Sequence, residues 1–354
     1  MTCYRMPAEW QPQAATWVAW PHNTDTWPHN LAEAQSGFIE LVQTIARCQK
    51  VFVLCGGPAL QQARKAFPAS NSNVVLVDIP TNDAWARDYA PTFVVDEADR
   101  QLIALDWHYN AWGGKYPPFD QDQQVAKKVA EHLRVECVSP KLCFEGGAIE
   151  INQSGVVLST KSCALDPNRN AERSLEQVEQ TLIESLGAKS VIWLQGDAIE
   201  GDDTDGHIDQ LARFTDDNTI VYAWSEDKTD PQAARLQQNL TDLRSGLASI
   251  GREDARLIPL PLPEPVYFRD MRLPASYCNF VITNQQVIVP QFKTASDQRA
   301  MEILGPLFPD REVIGLPSHH LSVGLGSFHC LTQQQPQLGD AAVERISCDR
   351  IKGN

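Results

Sequence analysis

Short apolar runs and amphipathic helical stretches follow one another along the whole of the 354-residue chain. In the first long helical stretch, Phe38, Leu41, Val42 and Ile45 recur at the spacing of one helical face. The pattern predicts helices at residues 31–48, 59–67, 123–133, 175–186, 232–250 and 296–307. It predicts strands at residues 16–20, 51–54, 74–77, 92–95, 102–106, 148–151, 156–158, 191–194, 207–214, 219–223, 279–283, 287–290, 313–316 and 328–332.

A hairpin, a helix and a single strand follow one another in this order about five times, at intervals of roughly 50–65 residues. Such a period is typical of repeat architectures, although an irregular α/β domain is the alternative because sequence similarity between the repeats is slight. No linker, charge block or low-complexity tract divides the chain. We therefore expect an α/β protein that forms a single domain over residues 1–354.

Composition and charge limit the classes of partner and the cellular compartment that we expect for the protein. Hydrophobic residues make up 43% of the chain and charged residues 21%, as in ordinary globular proteins. The formal net charge of −15 disfavours nucleic acid and anionic lipid as partners and attracts cationic small molecules. The nine cysteines show no paired spacing, which favours free thiols in a reducing compartment. No signal-peptide pattern or membrane-length apolar run is visible, so we expect a cytoplasmic protein, and a homo-oligomer is compatible with the sequence.

Four predicted loops carry polar or glycine-rich sequence, at residues 81–91, 144–147, 201–209 and 324–336. In a ring of repeats, equivalent loops converge on the axis, so residues far apart in sequence would meet at one pocket. Cys330 lies after a glycine-rich turn, a context that favours a reactive thiol over a buried structural cysteine. Asp88 lies in an apolar loop, where either a ligand or a structural salt bridge would account for it. Glu145 precedes two glycines, which allow a ligand to approach the backbone closely.

His207 and Asp209 lie two residues apart at the start of a predicted strand, so their side chains would point to the same face. A histidine beside a carboxylate is suited to general acid–base catalysis, worth about 10²–10⁴ in rate. The surrounding acidic cluster could instead bind a divalent cation through Asp202, Asp203, Asp205, His207 and Asp209. It does not match an EF-hand loop, and the other histidines lack ligand spacing, so we expect no metal or other cofactor.

Six segments together resemble the agmatine deiminase family, a branch of the guanidine-modifying enzyme superfamily. They are NDAWARD (82–88), NAWGGK (110–115), EGG (145–147), DTDGH (203–207), LPASY (273–277) and HCLTQQQP (329–336). The matching stretches run from Met6 to Gln335, nearly the whole chain. The resemblance implies a five-bladed α/β propeller with pseudo-fivefold symmetry. It also implies a small cationic guanidine substrate, agmatine, hydrolysed to N-carbamoylputrescine and ammonia.

The resemblance also implies roles at the matching positions. Cys330 is implied as the nucleophile, which forms a covalent amidino-thioether, and His207 as the general acid–base. Asp88 and Asp209 are implied as the carboxylates that bind the guanidinium group, and Glu145 as support for His207 and the substrate.

The substrate tail is less constrained by sequence. Trp85 and Trp112 are candidates to hold the far amine by cation–π contact, although buried aromatic residues are commoner. Relatives often carry Gly-Gly-Gly-Asn-Ile where residues 324–328 read GLGSF, and an arginine where His22 stands. A peptidylarginine deiminase, or a deiminase of another small guanidine, is therefore the alternative. A non-catalytic binding protein is disfavoured because it would need neither Cys330 nor His207.

Overall fold

The structure is a computed structural model that describes residues 4–68, 72–98 and 100–338, in which short strands alternate with helices. Helices α1 to α10 span, in order, Leu31–Ile45, Pro58–Ala66, Ala86–Tyr89, Ala111–Gly114, Val125–Leu133, Lys161–Ala164, Pro167–Asn170, Leu175–Leu186, Ala233–Ser249 and Ser296–Leu304. Strands β1 to β19 span, in order, Tyr4–Arg5, Gln13–Ala19, Lys50–Leu54, Val74–Val77, Thr92–Asp96, Gln101–Leu105, Glu136–Val138, Glu150–Ile151, Val156–Thr160, Ser190–Leu194, Ala212–Asp216, Thr219–Trp224, Arg256–Pro261, Tyr267–Phe268, Met271–Arg272, Val281–Ile282, Gln286–Gln291, Glu312–Pro317 and Thr332–Pro336.

Five sheets share one motif, in which an antiparallel hairpin is followed by a helix and then by a strand parallel to the second hairpin strand. Four of these units are continuous in the chain: β5–β6–α5–β7, β8–β9–α8–β10, β11–β12–α9–β13 and β16–β17–α10–β18. The fifth joins the two ends of the described chain, because β19 pairs antiparallel with β2, and β3 and β4 then add in parallel. The expected α/β class and its recurring unit are confirmed.

The helices form where the sequence provides both an apolar face and a defined start. In α8 the Ser174 hydroxyl accepts a hydrogen bond from the Gln177 backbone N–H, and the Gln177 side chain accepts one from the Ser174 backbone N–H. Val178 and Leu182 point into the core, and Gly187 ends the helix in the left-handed conformation. None of the described helices combines the length and the apolar character needed to cross a bilayer.

A short turn precedes the first strand of each of the five units, and these turns carry the residues of the site. Asp88 lies in α3 before β5, and Glu145 lies next to a 3-10 turn before β8. Asp209 and Asn279 lie in 3-10 turns before β11 and β16, and Cys330 precedes β19 by two residues. Equivalent positions in five structurally similar units therefore supply one polar residue each.

Four of the predicted strand starts are wrong for this reason. Strand β8 begins at Glu150 rather than at 148, β11 at Ala212 rather than at 207, β16 at Val281 rather than at 279, and β19 at Thr332 rather than at 328. The turns contain fully buried apolar side chains, such as Ile208 and Phe328, which imitate the apolar pattern of a strand.

Candidate active site

A cavity of about 670 Å³ opens beside the turns of the first and last units. Asp88 and Cys330 lie in its wall together with Trp85 and Trp112. His207, Glu145 and Asp209 lie behind this wall and are linked to it through contacts with Asp88 and Cys330. The structure therefore brings all the predicted catalytic residues together around one cavity.

The Cys330 thiol is buried and surrounded by polar groups. Its Sγ lies 3.6 Å from Oδ2 of Asp209 and 3.2 Å from Nδ2 of Asn279. Burial raises the pKa of the Cys330 thiol well above its usual range, and the negative charges of Asp209 and Asp88 raise it further. In the absence of a cationic ligand, this sulfur is therefore held as the thiol.

Asp209 is completely buried and is fixed from the side away from the cavity. His329 Nδ1 lies 2.8 Å from Oδ2 of Asp209, and Nε2 of the same ring lies 3.1 Å from Oε2 of Glu9. Burial alone would raise the pKa of Asp209, but the bonded His329 lowers it below its usual value. The other oxygen, Oδ1, has no hydrogen-bond partner among the described residues.

Asp88 accepts two N–H bonds, which fix its carboxylate at the cavity wall. The Gly147 backbone N–H donates to Oδ1 at 3.0 Å and the Trp112 indole N–H donates to Oδ2 at 3.0 Å. Burial raises the pKa of Asp88 to about 6, against the lowering effect of the nearby His207. A side chain at Gly147 would overlap both Asp88 and the ring of His207, so the second glycine of the EGG segment is needed for this close approach.

His207 lies between two carboxylates at a longer range. Nδ1 is 3.6 Å from Oδ1 of Asp88 and Nε2 is 3.6 Å from Oε2 of Glu145, and neither nitrogen has a hydrogen-bond partner among the described residues. Burial alone would lower the pKa of His207, but the negative charge of Asp88 and contacts with Cys163 and Glu145 raise it well above the usual value. The ring is therefore held as an imidazolium at neutral pH.

Glu145 is fixed by an arginine that the sequence did not reveal as part of the site. Arg169 Nε donates to Oε1 and Oε2 of Glu145 at 2.8 and 3.1 Å, and its Nη1 donates to Asp205 at 2.6 Å. Burial would raise the pKa of Glu145, but Arg169 and His207 lower it to about 2. Glu145 therefore remains a carboxylate next to the His207 ring.

The acidic loop does not converge on one point, as a cation site would require. Asp202 accepts bonds from the backbone of Thr204 and Gly206, whereas Asp203 accepts from the Tyr116 hydroxyl. Asp205 pairs with Lys115 and Arg169. Each carboxylate of this loop thus has a separate partner among the described residues.

The expectation that His207 and Asp209 lie at the start of a strand is wrong. His207 lies at the start of the 3-10 turn Ile208–Gln210 and contacts Asp88 and Glu145. Asp209, inside that turn, contacts His329 and Cys330 instead. The turn directs the two side chains to different parts of the site, which a strand could not do.

The glycine-rich turn before Cys330 lies against Trp85. Side chains at Gly324 or Gly326 would collide with the Trp85 ring, which packs against Trp27 at a centroid distance of 5.4 Å. Between these glycines, Leu325 adopts a left-handed φ of 70° and lines the cavity. The segment that departs from the pattern of its relatives therefore forms part of the cavity wall.

Solved structures of similar fold are known. An agmatine deiminase from C. jejuni with bound substrate has a TM-score of 0.86 and 33% identity, and the match covers 94% of this chain and 96% of that one. An agmatine deiminase of Enterococcus faecalis has a TM-score of 0.88 and 31% identity, over 95% and 96% of the two chains. The fold, and the meeting of a cysteine, a histidine and carboxylates at one cavity, define an enzyme of the guanidine-modifying class.

Within that class, the chain belongs to the Porphyromonas-type peptidyl-arginine deiminase family, whose family model matches residues 5–336. A Yersinia pestis protein provisionally named agmatine deiminase is 36% identical over 352 residues, which cover 94% of this chain and 95% of that protein. The family predicted from the six sequence segments is confirmed.

Sequence reasoning missed several residues that complete the site, namely Glu9, Arg169, Asn279 and His329. Asn279 could have been found, because it lies two residues after the LPASY segment, and His329 could have been found because it opens the HCLTQQQP segment. Glu9 and Arg169 are harder to find, since a single charged residue does not reveal its partner.

Proposed function

We propose that this protein is an agmatine deiminase, which hydrolyses agmatine to N-carbamoylputrescine and ammonia. The observation that carries the proposal is the position of the Cys330 sulfur, which lies 3.6 Å from the Asp209 carboxylate in a cavity that it shares with Asp88. A flat cation held between two carboxylates would present its central carbon to this thiol. The agmatine deiminase names of similar proteins support the choice of substrate.

Binding is the first step. Asp88 and Asp209 would accept N–H bonds from the guanidinium group, and charge-assisted bonds of this kind contribute about 1.5–3 kcal/mol each. Asp209 Oδ1 has no partner among the described residues and is free to accept such a bond. The bound cation opposes the negative charges that disfavour a thiolate at Cys330, so substrate binding itself promotes ionisation of the thiol. Because His207 already carries its proton, the thiol proton passes to solvent in the cavity that Cys330 lines.

The Cys330 thiolate then attacks the guanidinium carbon, forming a C–S bond while the C=N electron pair moves to nitrogen. The His207 imidazolium, positioned next to Asp88, donates its proton to the leaving nitrogen, and ammonia departs. The product of this half-reaction is a cationic amidino-thioether on Cys330.

Water completes the reaction. His207, now neutral, takes a proton from the water that adds to the carbon of the thioether. The C–S bond then breaks, the hydroxyl proton is released, and the ureido product leaves with the Cys330 thiolate restored. Arg169 keeps Glu145 ionised, and the negative charge of Glu145 favours the protonated form of His207 when the ring gains its proton.

The far end of the cavity fits a cationic alkyl chain. Trp85, Trp112 and Tyr116 supply aromatic walls, and Asp203 supplies a carboxylate near the mouth. We propose that Trp85 and Trp112 contact the methylene chain and the terminal amine of agmatine. A peptidylarginine substrate is the alternative that the experiment below separates.

We also propose that the five sheets surround one axis, as a single-domain five-bladed propeller with pseudo-fivefold symmetry. The shared hairpin–helix–strand motif and the pairing of β19 with β2, which joins the chain ends, support this arrangement. Location in the cytoplasm is proposed as well, and the free thiols of the described cysteines support it.

The test is ammonia release from agmatine, arginine and an arginyl peptide, for the wild type, Cys330→Ser and the control Cys55→Ser. Cys55 is also buried but lies outside the cavity lining. We expect agmatine to be turned over fastest, the Cys330 variant to fall to background and the control to keep its activity. Faster turnover of the peptide, or activity retained without the Cys330 sulfur, would refute the proposal.

A further inference from the structure

A second buried thiol contacts the proposed catalytic residues and has no part in the proposed mechanism. Cys163 lies in α6 and is completely buried, and its Sγ donates to Oε2 of Glu145 at 3.6 Å. The same carboxylate oxygen lies 3.6 Å from Nε2 of His207. A thiol, an imidazole nitrogen and a carboxylate oxygen thus lie within 4.8 Å of one another. These are the ligand types that Zn²⁺ takes in proteins.

The spacing of these three atoms suits a tetrahedral zinc ion. Zinc bonds of about 2.3 Å to sulfur and about 2.0–2.2 Å to nitrogen and oxygen place neighbouring ligand atoms about 3.3–3.6 Å apart. The two distances from Oε2 of Glu145, 3.6 Å to the Cys163 sulfur and 3.6 Å to the His207 nitrogen, are close to these values. Little side-chain movement is therefore needed to bring the three ligands onto one ion.

The unused hydrogen-bonding capacity of His207 points to a ligand at this place. Its ring is buried, and both of its nitrogens lack a hydrogen-bond partner among the described residues. Nε2 faces Glu145, whereas Nδ1 faces Oδ1 of Asp88 at 3.6 Å. Around zinc, a carboxylate usually lies behind the second nitrogen of a ligating histidine, and a hydrogen-bond donor lies behind a ligating carboxylate. Asp88 and Arg169, which donates to Glu145, occupy these two places.

Another group of three candidate ligands within the described ranges provides a contrast. Glu9, Glu150 and His329 also lie close enough to share an ion. Arg213 donates to both of these carboxylates, and His329 lies within hydrogen-bond distance of Glu9 and Asp209. A guanidinium group already serves the two carboxylates there, whereas the group around the α6 thiol leaves its histidine unbonded. We therefore consider only the latter as a metal site.

The charges permit the exchange of protons for a metal ion. Burial raises the pKa of the Cys163 thiol, so this sulfur carries its proton, and the His207 ring carries its own. Replacing these two protons with one Zn²⁺ leaves the net charge of the group unchanged, and both protons pass to solvent. Zinc therefore adds no net charge next to Arg169, which would otherwise oppose a cation.

We propose that Glu145, Cys163 and His207 form an inhibitory Zn²⁺ site. With zinc on Nε2, the His207 ring holds a proton only at Nδ1, and releasing that proton would leave an imidazolate anion. The ring then no longer donates a proton to the leaving nitrogen, so turnover stops. This effect on turnover rests on the proposed function, whereas binding of the metal does not. Because the ion takes neither Cys330 nor the substrate carboxylates, the inhibition is noncompetitive with agmatine.

Metal binding is tested in the Cys330→Ser variant, which removes the thiol that lines the cavity. Titration with Co²⁺, which substitutes for Zn²⁺ and absorbs in the near ultraviolet when a thiolate binds it, reports the site without turnover. We expect the absorption to saturate at one ion per chain and to fall at least tenfold when Cys163→Ser is added. The matched control adds Cys143→Ser instead. Cys143 is also buried but lies outside the group of three, so the absorption should persist.

Inhibition is tested by ammonia release from agmatine in the presence of Zn²⁺. We expect Cys163→Ser to need at least tenfold more zinc than the wild type for half-inhibition, and saturating agmatine to leave the wild-type value unchanged. Should Cys163→Ser fold poorly, Cys163→Ala removes the sulfur without adding a polar group and should give the same result. Equal sensitivity of the variant and the wild type, with relief by agmatine, would place the metal on Cys330 and overturn the inference.

A cobalt absorption that survives the loss of Cys163 would overturn the inference as well. Because metal binding needs no substrate, the two proposals fail separately. A cobalt absorption that depends on Cys163, in a protein that releases no ammonia from any guanidine, would refute the deiminase function and leave the metal site intact.

Discussion

Two buried histidines in this protein each lie between two carboxylates, yet their geometry differs. His329 is bonded tightly, at 2.8 Å to Asp209 and 3.1 Å to Glu9. His207 lies 3.6 Å from both Asp88 and Glu145 and makes no hydrogen bond with the described residues through its ring nitrogens. The same residue types thus place His329 within hydrogen-bond distance of both its carboxylates and leave His207 beyond that distance from both of its own.

The surroundings explain the difference. Glu9 is anchored by Arg213, which also donates to Glu150 and to two backbone carbonyls, so the carboxylate that faces His329 from this side is held firmly in place. Around His207 the two carboxylates are held by other donors, including Arg169 on Glu145 and the N–H of Trp112 on Asp88. The nitrogens of this ring make no hydrogen bond with the described residues and could exchange a proton with a ligand. Bonding geometry, and not the types of neighbouring residue, therefore distinguishes His329, which we expect to be structural, from His207, which we propose to be reactive.

The largest expected effect comes from His207→Asn, which removes the ionisable ring from the loose arrangement. We expect kcat for agmatine to fall by about 10²–10⁴, because proton donation to the leaving nitrogen is lost. The melting temperature should change less than in the His329 variant described next, because the His207 nitrogens make no hydrogen bond with the described residues. Steady-state kinetics and thermal unfolding measure the two effects, and kcat within threefold of the wild type would contradict the assignment.

His329→Asn should show the opposite balance. The substitution removes the ring that lies between the buried carboxylates of Asp209 and Glu9 and breaks its contacts with both. Leaving a buried charged group without a hydrogen-bond partner costs about 1–3 kcal/mol or more, which denaturant unfolding at pH 7 will detect. If the free energy of unfolding stays within about 1 kcal/mol of the wild type, a spread typical of surface substitutions, His329 is not the structural member of the pair.

The sequence predicted the helices and strands better than it predicted which side chains contact one another. Helix α8 and strand β4 have the predicted bounds, because an apolar face and a β-branched run are local signals. Strand β13 was missed because prolines at 259 and 261 disfavour a strand, yet it pairs in parallel with β12 at the edge of its sheet. The loops singled out Asp88, Asp209, His207 and Cys330, and the resemblance to a family implied the roles that we propose for them.

The residues that fix these groups depend on contacts that no local pattern records. Glu9 is a single carboxylate near the start of the chain, yet it contacts His329, which lies 320 residues away. Arg169 likewise reaches Glu145 across 24 residues from α7. Such pairs become visible only when the sheets bring the unit turns together.

The smallest expected effect concerns Asp88, the carboxylate that lies next to His207 and that we propose binds the substrate. Asp88 must be ionised to bind a guanidinium group, and burial raises its pKa to about 6. Below that pH the carboxyl is protonated and neutral, so kcat/KM for agmatine should fall about tenfold per pH unit as the pH decreases. Trp112→Phe removes the N–H that donates to the ionised form of Asp88 at 3.0 Å.

Losing that donor disfavours the carboxylate, so the pKa of Asp88 rises and the acid limb of kcat/KM should move upward by about one pH unit. Trp85→Phe is the control, because Trp85 lines the same cavity without donating to Asp88. It should leave the limb in place even if it changes KM. If the acid limb moves equally in both variants, the shift reflects the aromatic wall of the cavity and not the hydrogen bond to Asp88. The different bonding geometry of His207 and His329 would then need a cause other than the way their carboxylates are held.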